Sequence, residues 1–137
     1  MDALPPGSLL VRTWFGDDEA WEQLKIAVAT PSEEGFLADV LVIDDRCYAG
    51  LGPRALTAMT PQGRGGAIVS FLADELTLTT ADWPILAVQV FSGRPEAAPL
   101  RVTAAELWSV ENNLNLVNMD WQDFQRTVGP DGVFRGF

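Results

Sequence analysis

Histidine is absent from this 137-residue sequence, and its absence excludes several kinds of site. Ser-His-Asp and Cys-His catalysis need an imidazole base, the common zinc motifs need imidazole ligands, and most pH switches titrate an imidazole. The single cysteine, Cys47, can form neither an intrachain disulfide nor a cysteine-rich zinc site. Because stability then does not depend on oxidation, a reducing compartment fits best, and we expect a cytoplasmic protein.

Basic side chains are scarce as well, with 9 Lys and Arg residues against 19 Asp and Glu and a formal net charge of -10. Proteins that bind nucleic acid or anionic lipid normally present a face rich in Lys and Arg. No apolar run in the sequence has the length of a membrane span or the pattern of a signal peptide. We therefore expect no nucleic acid and no membrane as partners, and a basic protein as the possible partner.

The sequence has the length and apolar content of one folded domain. Its residues are 47% hydrophobic and include 5 Trp, which is too apolar for an acidic disordered tail. A chain of this length buries roughly two-thirds of its unfolded surface and needs no metal or disulfide to be stable. We expect a single domain over residues 1–137 and no cofactor.

Apolar and polar residues alternate along the chain in a way that predicts both strands and helices. Apolar and β-branched runs predict strands over residues 9–15, 36–43, 67–73, 85–91 and 100–102, with 36–43 buried. Helical spacing and end signals predict helices over 17–29, over 53–59, after a Thr103–Glu106 capping box, and from Asp120 to Gly129. The sequence thus predicts an α/β or α+β fold, about five strands in one sheet with about four packed helices.

Asp44 and Asp45 come directly after the predicted strand 36–43. Ligands bind at the carboxyl ends of strands in open α/β sheets, and carboxylate oxygens suit Mg²⁺ and Ca²⁺. The pair could therefore hold a divalent cation together with Asp74 or Glu75. The alternative is a pair of aspartates that ends the strand and orders the loop after it.

Carboxylates and amides are concentrated near the C-terminus, between two tryptophans. Residues 111–120 include Glu111, Asn112, Asn113, Asn115, Asn118 and Asp120, and Trp108 and Trp121 flank this segment. Aromatic rings that stack and amides that hydrogen-bond can form a sugar- or peptide-binding surface. In the alternative interpretation the asparagines cap and turn a helix–loop–helix while the tryptophans face the core.

Two further segments could carry chemistry. The glycine-rich run 62–66 could present backbone amides and the Arg64 guanidinium to an anion, or could be a flexible connection. Cys47 lies beside Arg46 and could have a lowered thiol pKa, or could be an incidental thiol.

The C-terminal sequence carries an ordered set of short motifs. Leu107–Leu114 reads LWSVENNL, Asn118–Trp121 reads NMDW, and Asp131–Phe137 reads DGVFRGF. This order resembles the signature end of a family of small uncharacterised actinobacterial proteins, and the similarity extends upstream to Asp17–Trp21 and Tyr48–Leu51. The resemblance implies a bacterial cytoplasmic protein that is one domain over its whole length, and it transfers no catalytic residue.

Two classes of function fit these observations. The first is a non-catalytic protein-binding, accessory or immunity-type module whose acidic charge steers it to a basic partner, with Trp108 or Trp121 as hot spots if exposed. The alternative is a small carboxylate-based, metal-dependent enzyme or ligand-binding domain around Asp44 and Asp45. A homodimer formed through a strand edge or through Val133-Phe134 is a third possibility.

Overall fold

One six-stranded mixed sheet organises the residues that the computed structural model describes, which are 4–61, 67–91 and 97–137. The strands are β1 Leu9–Arg12, β2 Leu41–Ile43, β3 Val69–Ala73, β4 Ile85–Gln89, β5 Leu100–Val102 and β6 Val133–Phe134. The helices are α1 Asp18–Val28, α2 Pro53–Met59, α3 Glu75–Thr79, α4 Leu107–Asn115 and α5 Trp121–Gln125. This arrangement is an α+β fold, and it confirms the predicted fold class; the glycine-rich run 62–66 lies outside the described residues.

The strand order is β2-β1-β3-β4-β5-β6. Strand β1 pairs in parallel with both β2 and β3, because α1 and then α2 return the chain to the edge where β1 began. Strands β3, β4 and β5 are antiparallel, and β6 adds in parallel to β5. The parallel strands β1, β2 and β3 therefore end at one edge of the sheet, where the first candidate site was predicted.

Helices cover both faces of the sheet, and the side chains of β1 alternate between two apolar cores. On one face Leu10 packs in a core with Trp21 of α1 and Val110 of α4. On the other face Leu9 packs in a core with Leu56 of α2. All four residues of β1 are buried in consequence.

No α-helix in the described ranges is long and apolar enough to cross a membrane.

Strand β2 differs from its prediction. The run 36–43 was expected to be a buried strand, but only Leu41–Ile43 pairs, and Leu41 is 51% exposed. The prediction of burial is wrong because β2 is an edge strand, with a neighbour on one side only. A continuous apolar run of this kind is typical of a central strand, and the sequence alone does not reveal that β2 lies at the edge of the sheet.

The segment after β5 also differs in part. The Thr103 hydroxyl makes no capping hydrogen bond, so the predicted Thr103–Glu106 capping box is wrong, and a short 3₁₀ turn over Ala104–Glu106 leads into α4. At Asp120, where the last helix was predicted to begin, a capping box forms, since the Asp123 carboxylate accepts from the Asp120 amide at 2.8 Å. Helix α3 and strand β6 were not predicted, because each is too short to show periodicity.

An ion pair fastens α3 to β5. The two Nη atoms of Arg101 donate to the two oxygens of Asp74 at 2.8 Å each, and the Asp74 carboxylate also accepts from the Thr77 amide at the start of α3. Burial raises the pKa of Asp74, but the hydrogen bonds from Arg101 and Thr77 and the charge of Arg101 outweigh it and hold the pKa below its ordinary value.

We expect Asp74→Asn to lower the free energy of unfolding by about 2 kcal/mol at neutral pH, because it removes a bidentate ion pair and keeps an N-cap. A carboxyl with a lowered folded pKa stabilises the fold above its unfolded pKa, and that contribution disappears as pH falls through the folded pKa. The difference between wild type and variant should therefore shrink below about pH 4 in urea unfolding. A difference that stays constant on acidification would contradict this.

The exposed pair of Asp131 and Arg135 is a matched control. Its atoms approach to 2.6 Å, and the hydrogen bonds from Arg135 and from the Val133 amide lower the pKa of Asp131 to about 2. Water screens both side chains, so Asp131→Asn should change the urea midpoint little. If Asp131→Asn lowered the free energy of unfolding as much as Asp74→Asn does, the partly buried Asp74–Arg101 pair would be no more stabilising than an exposed one, which would contradict this account.

Candidate functional site

Helix α4 turns one face toward the loop that precedes β2. Trp108, Glu111, Asn112 and Asn115 lie on this face because residues three, four and seven apart share one side of a helix. Glu111 is 5% exposed, and its Oε1 accepts from the amide of Asp39 in a short hydrogen bond. A carboxylate on a helix thus holds the backbone of a loop that precedes it by 72 residues.

Amide side chains extend this contact to the sheet. Asn112 Nδ2 donates to Glu111 Oε1 at 3.0 Å, and Asn115 Nδ2 donates to Glu111 Oε2 at 2.9 Å. Asn115 Nδ2 also donates to Ser8 Oγ at 2.7 Å, while Asn115 Oδ1 accepts from the Ile68 amide at 2.9 Å. The network therefore joins α4 to the starts of β1 and β3.

These residues surround an open cleft of about 500 Å³. We name it the Glu111 cleft, and the residues that line it include Ser8, Leu37, Asp39, Glu111, Asn112 and Leu116. Its volume lies in the range of sites that take small molecules, roughly 300–1,000 Å³. Glu111 and Asn112 were predicted as binding residues from the sequence, whereas Ser8 and Asp39 were not.

The other predicted binding residues lie elsewhere. Asn113 donates to the Ser109 carbonyl within α4, and Asp120 caps α5. Trp121 is 5% exposed, and its Nε1 donates to the Ala98 carbonyl at 3.0 Å. In this fold Trp121 is a core residue, so its ring is not available as an exposed hot spot.

Trp108 is half-buried beside the cleft. Its ring stacks on the ring of Phe36, with centroids 4.9 Å apart and planes 13° from parallel. Its Nε1 is buried and has no hydrogen-bond partner among the described residues, which is rare for an indole N–H. Trp108 is thus partly exposed, so it remains a candidate hot spot, whereas the buried Trp121 does not.

Asp44 lies at the carboxyl end of β2, where its carboxylate meets two side chains. Its Oδ2 accepts from Trp21 Nε1 at 3.1 Å, and its Oδ1 lies 3.5 Å from Arg12 Nη1. Arg12 ends β1 with its side chain buried, and Nη2 donates to Asp18 at 2.6 Å. The guanidinium also lies over the Phe15 ring, 4.5 Å from its centroid.

Asp45 points to a different partner. Its Oδ1 accepts from the Cys47 amide at 2.9 Å, and it caps the 3₁₀ turn Arg46–Tyr48. Desolvation and the hydrogen bond to the Asp45 carboxylate raise the pKa of the exposed Cys47 thiol. The hypothesis of a lowered thiol pKa is therefore wrong.

The metal role of Asp44 and Asp45 stays a prediction. Over residues 4–61, 67–91 and 97–137, no group of three or more Asp, Glu, Cys or His side chains is placed to hold a metal ion. Both carboxylates already accept hydrogen bonds from the protein, and Asp74 is bound by Arg101. These contacts match the alternative interpretation, in which the pair orders the loop after β2.

A second concave surface follows one side of α1, and the sequence analysis did not identify it. Its first part, of about 580 Å³, lies between α1 and α3 and is lined by Asp17, Glu19, Asp82, Leu78 and Trp83 among others. Its second part, of about 470 Å³, is lined by residues that include Ala27, Thr30, Ala104, Ala105 and Arg135. Asp82 and Trp83 line both parts, so we describe them together as the α1 groove.

The residues at the middle of the α1 groove have an uncommon backbone. Asp82 has a φ of 67° and Trp83 a φ of 53°, in the left-handed region that few residues other than glycine adopt. Trp83 also precedes Pro84, which favours extended backbone at that position. Backbone strain of this kind occurs preferentially at binding and catalytic sites.

The described residues thus form a small α+β domain with two open concave surfaces, the Glu111 cleft beside α4 and the α1 groove. The chain belongs to a family described as a domain of unknown function (DUF6924), whose model matches residues 7–137. A search of the curated proteins gives no match. The family match covers nearly the whole chain, as the resemblance of its motifs implied.

Thermal melting tests the metal hypothesis directly. If Asp44 and Asp45 hold a divalent cation, then Mg²⁺, Mn²⁺ or Ca²⁺ should raise the melting temperature, because a ligand that binds only the folded state stabilises it. Asp44→Asn should abolish that shift, and Glu33→Gln, in an exposed loop, should leave it unchanged. No shift with any of the three ions would contradict a metal site.

Proposed function

We propose that this protein is a non-catalytic binding module that takes a basic segment of a partner protein into the α1 groove. The observation that carries this proposal is the composition of the groove between α1 and α3. Three carboxylates line this first part of the groove, from Asp17, Glu19 and Asp82, and no Lys or Arg is among its described lining residues, whereas Arg135 lines the second part. A concave surface of one charge attracts an oppositely charged ligand and raises its rate of association.

The carboxylates are available to a partner. Glu19 and Asp82 are exposed, and neither forms an ion pair with a Lys or Arg in the described ranges. Asp17 uses one oxygen to cap α1, accepting from the Ala20 amide at 3.0 Å. An arginine or lysine side chain could therefore pair with these groups without displacing an existing ion pair.

Apolar surface accompanies the charge. Leu78 and Trp83 line the acidic part of the groove, and an aromatic face favours a guanidinium or ammonium group placed over it. Beyond Trp83 the groove becomes mostly apolar, with Ala27 and Ala105 among its walls, and Arg135 also lines this part, which therefore suits the apolar residue of a ligand rather than the basic one. The ligand that fits both parts is an extended segment in which a basic residue is followed by an apolar one.

The fold holds these parts in place before a partner arrives. Trp83 packs on the main core, and the Asp82 carbonyl accepts from the Ala104 amide at 3.2 Å. The packing of Trp83 and the hydrogen bond to Asp82 thus hold the left-handed backbone of these two residues in place, which reduces the conformational entropy lost on binding. An accessory or immunity-type module, which neutralises or recruits a basic protein, has this physical profile.

The experiment is a pull-down with two variants of equal charge. Glu19→Gln combined with Asp82→Asn removes two charges from the α1 groove, and Asn tolerates the left-handed backbone at position 82. Glu33→Gln combined with Glu34→Gln removes two charges from an exposed loop outside the groove. Tagged wild type and both variants are incubated with lysate of the source organism at low and high salt, and retained proteins are quantified by mass spectrometry.

We expect wild type to retain a basic protein in near-equal amount at low salt and to lose it at high salt, because salt screens exposed charge pairs. The groove variant should retain about tenfold less, equivalent to about 1.4 kcal/mol, and the loop variant should match wild type. Equal retention by the two variants would contradict the groove as the binding surface.

A further inference from the structure

The hydrogen-bond donors and acceptors that line the Glu111 cleft favour a particular class of ligand. The side-chain donors of Ser8, Asn112 and Asn115 are already used. Asn112 and Asn115 each use their Nδ2 group for two hydrogen bonds, and the Ser8 hydroxyl donates to the Val69 carbonyl. A ligand that needs one of these side-chain donors would have to break an existing hydrogen bond.

Its acceptors, in contrast, remain open. Asn112 Oδ1 and the carboxylate of Asp39 receive no hydrogen bond from any described residue. Glu111 Oε2 receives one hydrogen bond, from Asn115, although a carboxylate oxygen can accept two. The unused capacity of the cleft therefore lies on four oxygen atoms, which are the two of the Asp39 carboxylate, Glu111 Oε2 and Asn112 Oδ1.

The charge of the cleft is also unbalanced. Glu111 is nearly completely buried, and within the described parts of the chain no Lys or Arg lies within ion-pair distance of it or of Asp39. Buried carboxylates are normally paired with a cation, because removing their charge from water is costly. The hydrogen bonds from Asp39 N–H and the two asparagines lower that cost without supplying a positive charge.

The walls limit the shape of the ligand. Leu37 and Leu116 also line the cleft and are exposed, so they offer apolar contact. From this geometry we infer that the Glu111 cleft binds a small organic ammonium ligand, in which a primary amine pairs with Glu111 and Asp39 and a short aliphatic chain contacts the two leucines. This inference is independent of the α1 groove, which shares no described lining residue with the cleft.

The test is a calorimetric titration of the whole chain with 1,4-diaminobutane. The uncharged 1,4-butanediol controls for shape, and Ca²⁺ at equal ionic strength controls for the attraction of any dication to an acidic protein. The ¹⁵N-labelled protein is titrated in parallel, because the side-chain NH₂ signals of Asn112 and Asn115 report on the cleft itself.

We expect the diamine to bind and to shift both asparagine side-chain signals, and we expect the diol and Ca²⁺ to leave them unchanged. Asp39→Asn removes the charge of a side chain that has no hydrogen-bond or ion-pair partner among the described residues, and it should weaken binding at least fivefold. Glu111→Gln should weaken it more, while Glu33→Gln, which removes the same charge from the surface, should change it less than twofold. The melting temperature of each variant checks that it is folded.

Several results would overturn the inference. They are the absence of diamine binding to the wild type, equal binding of the diol, and asparagine shifts of the same size with Ca²⁺. An equal loss of affinity in Asp39→Asn and Glu33→Gln would also do so, because it would assign binding to general surface charge. Tighter binding of a lysine-containing peptide than of the diamine would assign the cleft to a protein side chain instead.

Discussion

Burial of β1 on all sides is the constraint on which the two concave surfaces depend. The strand lies between parallel neighbours β2 and β3 and below helices on both faces, so none of its four side chains reaches bulk water. Polar groups at its two ends must therefore find partners within the protein. Ser8 does so through Asn115 and Val69, which places the Glu111 network at the start of the strand. Arg12 does so through Asp18 and Asp44 at its end.

The pairing of Arg12 fixes how α1 lies on the sheet. Asp18 in the first turn of α1 is held by the buried guanidinium, and the hydrogen bond to Arg12 and its charge lower the pKa of Asp18. Trp21, one turn later, packs into the core and donates to Asp44. With Trp21 and Leu24 directed at the sheet, the side of α1 that carries Glu19 and Gln23 is left to form the groove. The acidic groove is thus a consequence of where the buried arginine finds its counter-charges.

Short sequence signals correctly predicted those helix and strand ends that depend on neighbouring residues alone. The limits of α2 and β5, and the starts of α1 and α5, follow from proline, glycine and carboxylate positions in the sequence. Contacts between distant residues could not be predicted in this way. The Ser8–Asn115 hydrogen bond joins residues 107 apart, and the exposure of β2 depends on strand order. For the same reason the sequence identified Glu111 and Asn112, which lie next to each other, and missed Asp39, Asp82 and Trp83.

Chemical-shift mapping tests the central claim, that the α1 groove recognises a basic residue followed by an apolar one. A short acetylated peptide containing Arg-Leu is titrated into ¹⁵N-labelled protein, with Glu-Leu and Arg-Ser peptides as controls. The account predicts shifts confined to Glu19, Gln23, Asp82 and the Trp83 indole, largest for Arg-Leu and absent for Glu-Leu. Shifts spread over exposed acidic residues such as Glu33 and Glu75, or equal for Arg-Leu and Arg-Ser, would contradict it.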